Sequence, residues 1–141
     1  MKGVLRITDA ATMAIHTMVM LASEPGRRFT AAELAERLDV SEAHLAKVLQ
    51  RLARQHLVRS VRGPGGGFTL GRPGGEITLM NVFEAIEGPF RPSDCLMDTQ
   101  VCGEGKCLFG PLLAKINREF SEYLGKTSVK EIDGNYGLER A

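Results

Sequence analysis

Apolar residues along this chain fall into short runs with helical or strand spacing, separated by glycine, proline and capping residues. From Thr8 to Ala22 the alanines, Met13 and Leu21 supply small and medium apolar faces, and Thr8 stands where a helix cap is needed. Pro25-Gly26 breaks that run. Thr30 and Glu33 have capping-box spacing, so hydroxyl and carboxylate satisfy each other's orphan backbone donors. They open a short helix through Leu34 and Leu38, and Asp39-Val40 forms a turn. Ser41 then caps a helix running to about Gln55, with Leu45, Val48, Leu49 and Leu52 on one face. Two β-prone runs, Leu57–Arg62 and Gly67–Leu70, surround Gly63-Pro64-Gly65-Gly66 and predict a hairpin. A further short helix is expected over Ile77–Ile86, opened by Thr78. The segment from Pro92 to Lys106 reads as loop, and the last clear helix runs from about Leu108 to Leu124.

Two short helices joined by a tight turn form a helix-turn-helix, and a hairpin directly after it is a wing. The expected fold is therefore mainly α with a small β-hairpin, a winged helix-turn-helix followed by a long C-terminal dimerisation helix. Residues 1–75 form the DNA-binding domain in this reading, and residues 76–125 form the cysteine loop and dimerisation helix. Residues 126–141 have weak periodicity and several charges, which predicts a mobile tail. Phe109, Leu112, Leu113, Ile116, Phe120, Tyr123 and Leu124 recur at three and four, as one apolar stripe. Such a stripe beyond a small core has little to pack on within one chain, so a homodimer is expected.

The formal net charge of +1 hides a split. Residues 1–75 carry 11 Lys/Arg against 6 Asp/Glu, and residues 76–141 carry 7 against 11. An anionic partner is expected for the first half only. Between Glu42 and Glu76 there is no carboxylate, while Lys47, Arg51, Arg54, Arg59, Arg62 and Arg72 all fall there. Lys47, Arg51 and Arg54 share a helix face opposite the leucine stripe, and the major groove of DNA accepts such a helix. Arg62 at the hairpin tip, beside Gly63, suits a narrow minor groove. The candidate contacts to a double-stranded DNA operator are Ser41, His44, Lys47, Arg51, Arg54, Arg59, Arg62 and Gly63. A glycine-rich nucleotide cradle fits poorly, because a strand rather than a helix follows the glycines. No catalytic pair is visible, so an enzyme is not expected. The apolar stretch Ala10–Ala22 is interrupted by His16, lacks a strongly basic lead and is too short for a bilayer, so a cytoplasmic protein without a membrane partner is expected.

Cys95, Cys102 and Cys107 place three thiols within thirteen residues, with Gly103 and Gly105 giving the loop freedom to converge them. Thiolates suit zinc and suit iron–sulfur clusters. A structural zinc needs a fourth ligand, and no histidine follows Cys107. His44 and His56 lie in the DNA-binding unit, and His16 on the first helix reads as a structural group. Spacing alone leaves zinc, an iron–sulfur cluster and reactive metal-free thiols open.

The chain from about Arg6 to Leu124 resembles the IscR/NsrR-type family of winged-helix regulators. The most specific stretch is Val58-Arg59-Ser60-Val61-Arg62-Gly63-Pro64-Gly65-Gly66-Gly67-Phe68-Thr69-Leu70-Gly71, which is similar to that family's wing. Three cysteines before the final helix are the second mark. The resemblance implies a homodimeric transcription regulator with an iron–sulfur cluster near the dimer interface, responding to nitric oxide or to redox or iron status. In one branch a histidine three residues after the last cysteine completes a two-iron cluster, and Gly110 stands there instead. In the nitric-oxide-sensing branch an aspartate opening the first helix of the other subunit completes a four-iron cluster, and Thr8-Asp9 matches that motif. The resemblance thus favours a four-iron cluster on Cys95, Cys102, Cys107 and Asp9, with a two-iron cluster as the alternative. The cysteine spacing of six and four departs from the commoner five and five, and Ala46 replaces a glutamate that some members use at a base edge. A zinc-stabilised or thiol-based winged-helix regulator is the other reading.

Overall fold

The computed structural model describes residues 7–97, 99 and 101–135. Helix α1 spans Asp9–Ser23, α2 Ala31–Leu38 and α3 Glu42–Arg54; strands β1 (Val58–Val61) and β2 (Gly67–Leu70) follow. Then come α4 (Leu79–Glu87), α5 (Leu112–Lys126) and α6 (Val129–Asn135).

Local chemistry starts most of these elements. The Thr8 hydroxyl accepts the Ala11 N–H, and both halves of the Thr30–Glu33 box form at 3.0–3.1 Å. Asp39 closes α2 in the left-handed region (φ 53°), its N–H donating to the Ala35 and Glu36 carbonyls. Ser41 caps α3 through the His44 N–H. Thr78 and Asn81 form a second capping box at α4.

The hairpin is antiparallel, with Val58 opposite Leu70 and Val61 opposite Gly67. Phe29 adds a bridge on the other side of β2, exchanging hydrogen bonds of 3.1 and 2.8 Å with Phe68. That close approach explains Gly67: its φ is +144°, and a Cβ there would lie 2.7 Å from the Phe29 carbonyl oxygen. Beneath the hairpin, Met18, Leu21, Phe29, Leu34, Leu45, Leu49, Leu52 and Ile77 form one continuous core from α1, α2, α3 and the segments that lead into α2 and α4. Each buried side chain of this size contributes roughly 1.5–3 kcal/mol by leaving water.

Three expectations change. The last long helix begins at Leu112, not Leu108, because Gly110 turns the chain at φ 58° and Pro111 precedes the first helical residue. Residues 126–135 are not a mobile tail. Ser128 and Glu131 form a capping box, Val129 is fully buried, and α6 packs on α1. The Val129 N–H donates to the Ile77 carbonyl and the Leu79 N–H to that of Thr127, tying both ends of this link to the core. The remainder of the expected tail, residues 136–141, lies outside the described residues.

The third change concerns the stripe on α5, which divides in two. Leu113, Asn117, Phe120 and Leu124 turn toward the chain's own body, where Phe120 packs edge-on against Phe83 at 5.5 Å. Leu112 and Tyr123, about 100° around the helix, remain 47% and 54% exposed. Leu108 and Phe109, just before α5, are exposed too. Among the described residues no helix is long and apolar enough to cross a membrane.

Candidate functional site

The basic face is built on α3. Leu45, Val48, Leu49 and Leu52 anchor it in the core. At 3.6 residues per turn the opposite side carries Ala43, Lys47, Gln50 and Arg54, all exposed. Ser41 and His44 are exposed at the helix start, with Ser41 occupied as the cap. Arg51 sits to the side, and its guanidinium donates to the Ile86 carbonyl at the end of α4 (3.3 Å). Its position therefore joins α3 to α4 rather than lying at the centre of the outward face. Sequence reasoning passed over Gln50, an uncharged residue between the cations. Its place on the i, i+3 and i+4 lattice of Lys47 and Arg54 was the available signal, and glutamine suits an adenine edge.

In the wing, Arg59, Arg62 and Gly63 are exposed. The tip is held by the Gly66 N–H to the Gly63 carbonyl (2.9 Å) and by Arg28, whose guanidinium donates to the Gly65 carbonyl (3.0 Å). Arg28 was not singled out in the sequence, because nothing local connects it to a loop thirty-seven residues away. Its neighbour Arg27 is engaged elsewhere. It pairs with Glu24 at 2.8 Å and Glu33 at 3.1 Å and lies over the Phe29 ring. The hydrogen bond that the Arg27 guanidinium donates to Glu24 is the main cause that holds its pKa above the ordinary value.

The second feature lies between α4 and α5. Cys95, Cys102 and Cys107 line one cavity of about 740 Å³, together with Ser93, Asp94, Lys106, Gly110, Leu113 and Ala114. All three thiols are free and half-buried. The Met97 N–H donates to the Cys95 sulfur and the Phe109 N–H to the Cys107 sulfur, each at 3.4 Å. Among the described residues no three His, Cys, Asp or Glu side chains converge closely enough to hold a single metal ion. The thiols thus share a cavity without meeting at a point. Three thiols around one cavity are a donor set of the kind that holds iron–sulfur clusters.

The entrance to this loop is anchored at several points. The buried Asn117 donates to the Ser93 carbonyl (2.9 Å), and Glu84 accepts the Phe90 N–H (2.7 Å). Asp9 is exposed on the first turn of α1 and is not among the residues lining the cavity. Thr8, not Asp9, is the cap, and its hydroxyl also donates to Glu87 at the end of α4. His16 bonds the Thr12 carbonyl one turn back (2.8 Å), a local helix contact.

The winged-helix arrangement recurs in solved structures. CymR (YrzC), described as the global cysteine regulator of B. subtilis, superposes with a TM-score of 0.78 at 25% identity, covering 94% of this chain and 99% of that one. T. potens IscR superposes with a TM-score of 0.71 at 21% identity, covering 96% and 92%. In sequence, the HTH-type transcriptional regulator IscR of Xenorhabdus nematophila is 32% identical over 133 residues, spanning 93% of this chain and 80% of that protein. The family model described as "Rrf2: Iron-dependent Transcriptional regulator" matches residues 7–134. With its winged helix, its basic α3 and a family match over nearly the whole chain, the protein belongs to the Rrf2 family of DNA-binding transcriptional regulators.

Proposed function

We propose that this regulator holds a four-iron iron–sulfur cluster on Cys95, Cys102 and Cys107, and that the state of the cluster sets its affinity for a DNA operator. The observation that carries the reading is the shared cavity: three free thiols around one space, two of them already accepting backbone N–H groups. The similarity to proteins named IscR supports it. The fourth position falls to a non-thiolate donor, a carboxylate supplied either by Asp9 of the partner subunit or by the chain's own Asp94. When bound, such a cluster supplies a reaction site for nitric oxide or oxidants, and its presence reports iron supply.

The working form is a homodimer. Leu108, Phe109, Leu112 and Tyr123 form an exposed apolar surface beside the cysteine loop, which a second copy would cover. In the dimer two α3 helices and two wings read a palindromic operator with half-sites about 34 Å apart or a multiple of it. Lys47, Gln50 and Arg54 face the major groove, Arg59 the backbone and Arg62 the minor groove. Arg51 serves the coupling between the two features instead.

That coupling runs through the end of α4. Arg51 of α3 bonds the Ile86 carbonyl, Thr8 bonds Glu87, and the chain continues from Gly88 through Phe90 into the cysteine loop. A loop pulled tight or released moves the end of α4 and, through Arg51 and Thr8, the settings of α3 and α1. Coupling between sites of this kind is typically worth about 1–3 kcal/mol, a roughly 5- to 150-fold change in affinity.

Anaerobic purification tests the reading directly. A brown protein with iron and sulfide in similar amounts, whose operator affinity changes when the iron is removed, is the expected result. A colourless protein containing zinc, or an operator affinity indifferent to iron, defeats it.

A further inference from the structure

We infer that the fourth ligand comes from within the chain, the carboxylate of Asp94 completing the set begun by Cys95, Cys102 and Cys107. This deepens the proposed function and rests on it. Asp94 lines the thiol cavity of its own chain. The peptide on either side of Asp94 is pinned. Upstream, the Ser93 carbonyl accepts the Asn117 amide at 2.9 Å, and Asn117 is only 5% exposed, on a helix fixed to the body. Downstream, the Ser93 hydroxyl accepts the Cys95 N–H at 3.2 Å and donates to the Cys95 carbonyl at 2.6 Å. Asp94 therefore stands between an anchored residue and a ligand, on the lining of the cavity.

Among the described residues that line the cavity, the other side chains offer few donors. Gly110 has no side chain to offer. The Ser93 hydroxyl is committed on both sides. Lys106 is a cation, which suits it to offset the charge of three thiolates and a carboxylate rather than to bind iron. The Asp94 side chain is exposed and has no hydrogen bond or ion pair among the described residues, so coordination costs it no existing partner. A carboxylate is a harder ligand than a thiolate and leaves one iron different from the rest.

The test compares Asp94→Asn, Asp94→Cys and Asp9→Asn in full-length protein, each loaded anaerobically with ferrous iron and sulfide. Iron and sulfide per chain, the visible absorption and circular dichroism, and the rate of iron loss to a chelator are measured, with far-ultraviolet circular dichroism as the folding control. Asp94→Asn is expected to lose iron at least about tenfold faster than wild type and to change the visible spectrum. Asp94→Cys is expected to retain the cluster with a shifted spectrum, since a thiolate replaces an oxygen ligand. Asp9→Asn is expected to match wild type. Wild-type spectrum and chelation rate in Asp94→Asn, or a cluster altered by Asp9→Asn alone, overturn the inference while leaving the cluster reading intact. If wild type and Cys102→Ser take up equally little iron, the cluster reading itself fails.

Discussion

The winged-helix half and the cysteine half of this molecule are ordered by different means. In the first, α1, α2, α3 and α4 each begin on a side-chain cap, and their apolar faces meet in one core. In the second, the described part of residues 91–111 holds no α-helix or strand. Its structure there is a single 3₁₀ turn over Gly103–Gly105, in which Glu104 has a left-handed φ of 52°. Met97, Val101 and Leu108 are exposed, and the loop is held by a few polar anchors, chiefly Asn117, Ser93 and the N–H groups aimed at sulfur. Segments with few buried apolar contacts rearrange at low free-energy cost, and regulated elements are drawn from them. A packed winged helix is thus joined to a loop held mainly by polar contacts.

The sharpest way to break this contrast is to injure the core. Leu49 is fully buried, so Leu49→Ala is expected to cost roughly 2–5 kcal/mol in chemical denaturation. Cys95→Ser in protein without iron should leave the unfolding midpoint almost unchanged. Equal losses in the two variants would show that the halves do not differ as described.

Next in size is the exposed surface beside the loop. Leu112→Glu with Tyr123→Glu should weaken self-association by roughly 2 kcal/mol or more, read by sedimentation over a range of concentrations. Phe120, already packed on Phe83, should affect folding instead. A double variant that sediments like wild type would exclude this surface as the interface.

On the reading side, Gln50→Ala should cost about 1–3 kcal/mol at one operator position, with little change at others. Lys47→Ala should weaken binding evenly and reduce the salt slope by about one. Arg51→Ala should act differently. It should leave the salt slope near wild type and diminish the difference in operator affinity between iron-loaded and iron-free protein. A salt slope that falls with Arg51 as it does with Lys47 would return Arg51 to the DNA face.

The smallest effect expected is on pH dependence. The Glu33 carboxyl is held below the usual carboxylate range, chiefly by the Thr30 backbone N–H and further by Arg27. Its folded pKa is depressed, so its contribution is complete above the unfolded value of about 4.3 and fades as pH falls below that. Thermal stability of wild type should therefore drop slightly more steeply than that of Glu33→Gln between about pH 5 and pH 3. The opposite ordering would contradict the capping geometry.

The sequence by itself determined the elements whose signals are local. Thr8, Thr30 with Glu33, Ser41 and Thr78 mark four helix starts, because capping is settled within three or four residues. The glycine-rich hairpin was readable for the same reason, and so was the grouping of three cysteines. The same kind of signal stood at Ser128 and Glu131, yet the weak apolar periodicity after them hid α6. Only tertiary structure could decide the rest. Whether a stripe on α5 is buried by its own chain depends on where α4 lies, and that divided one predicted face into two. Arg51 and Arg54 are chemically alike and three positions apart, but the end of α4 lies beside Arg51 and takes its guanidinium. Asp94 gained its place on the thiol cavity, and Arg28 its hold on the wing, from residues far along the chain. Helix caps are short-range and legible in a sequence, whereas the surroundings of a charged side chain depend on how distant elements pack.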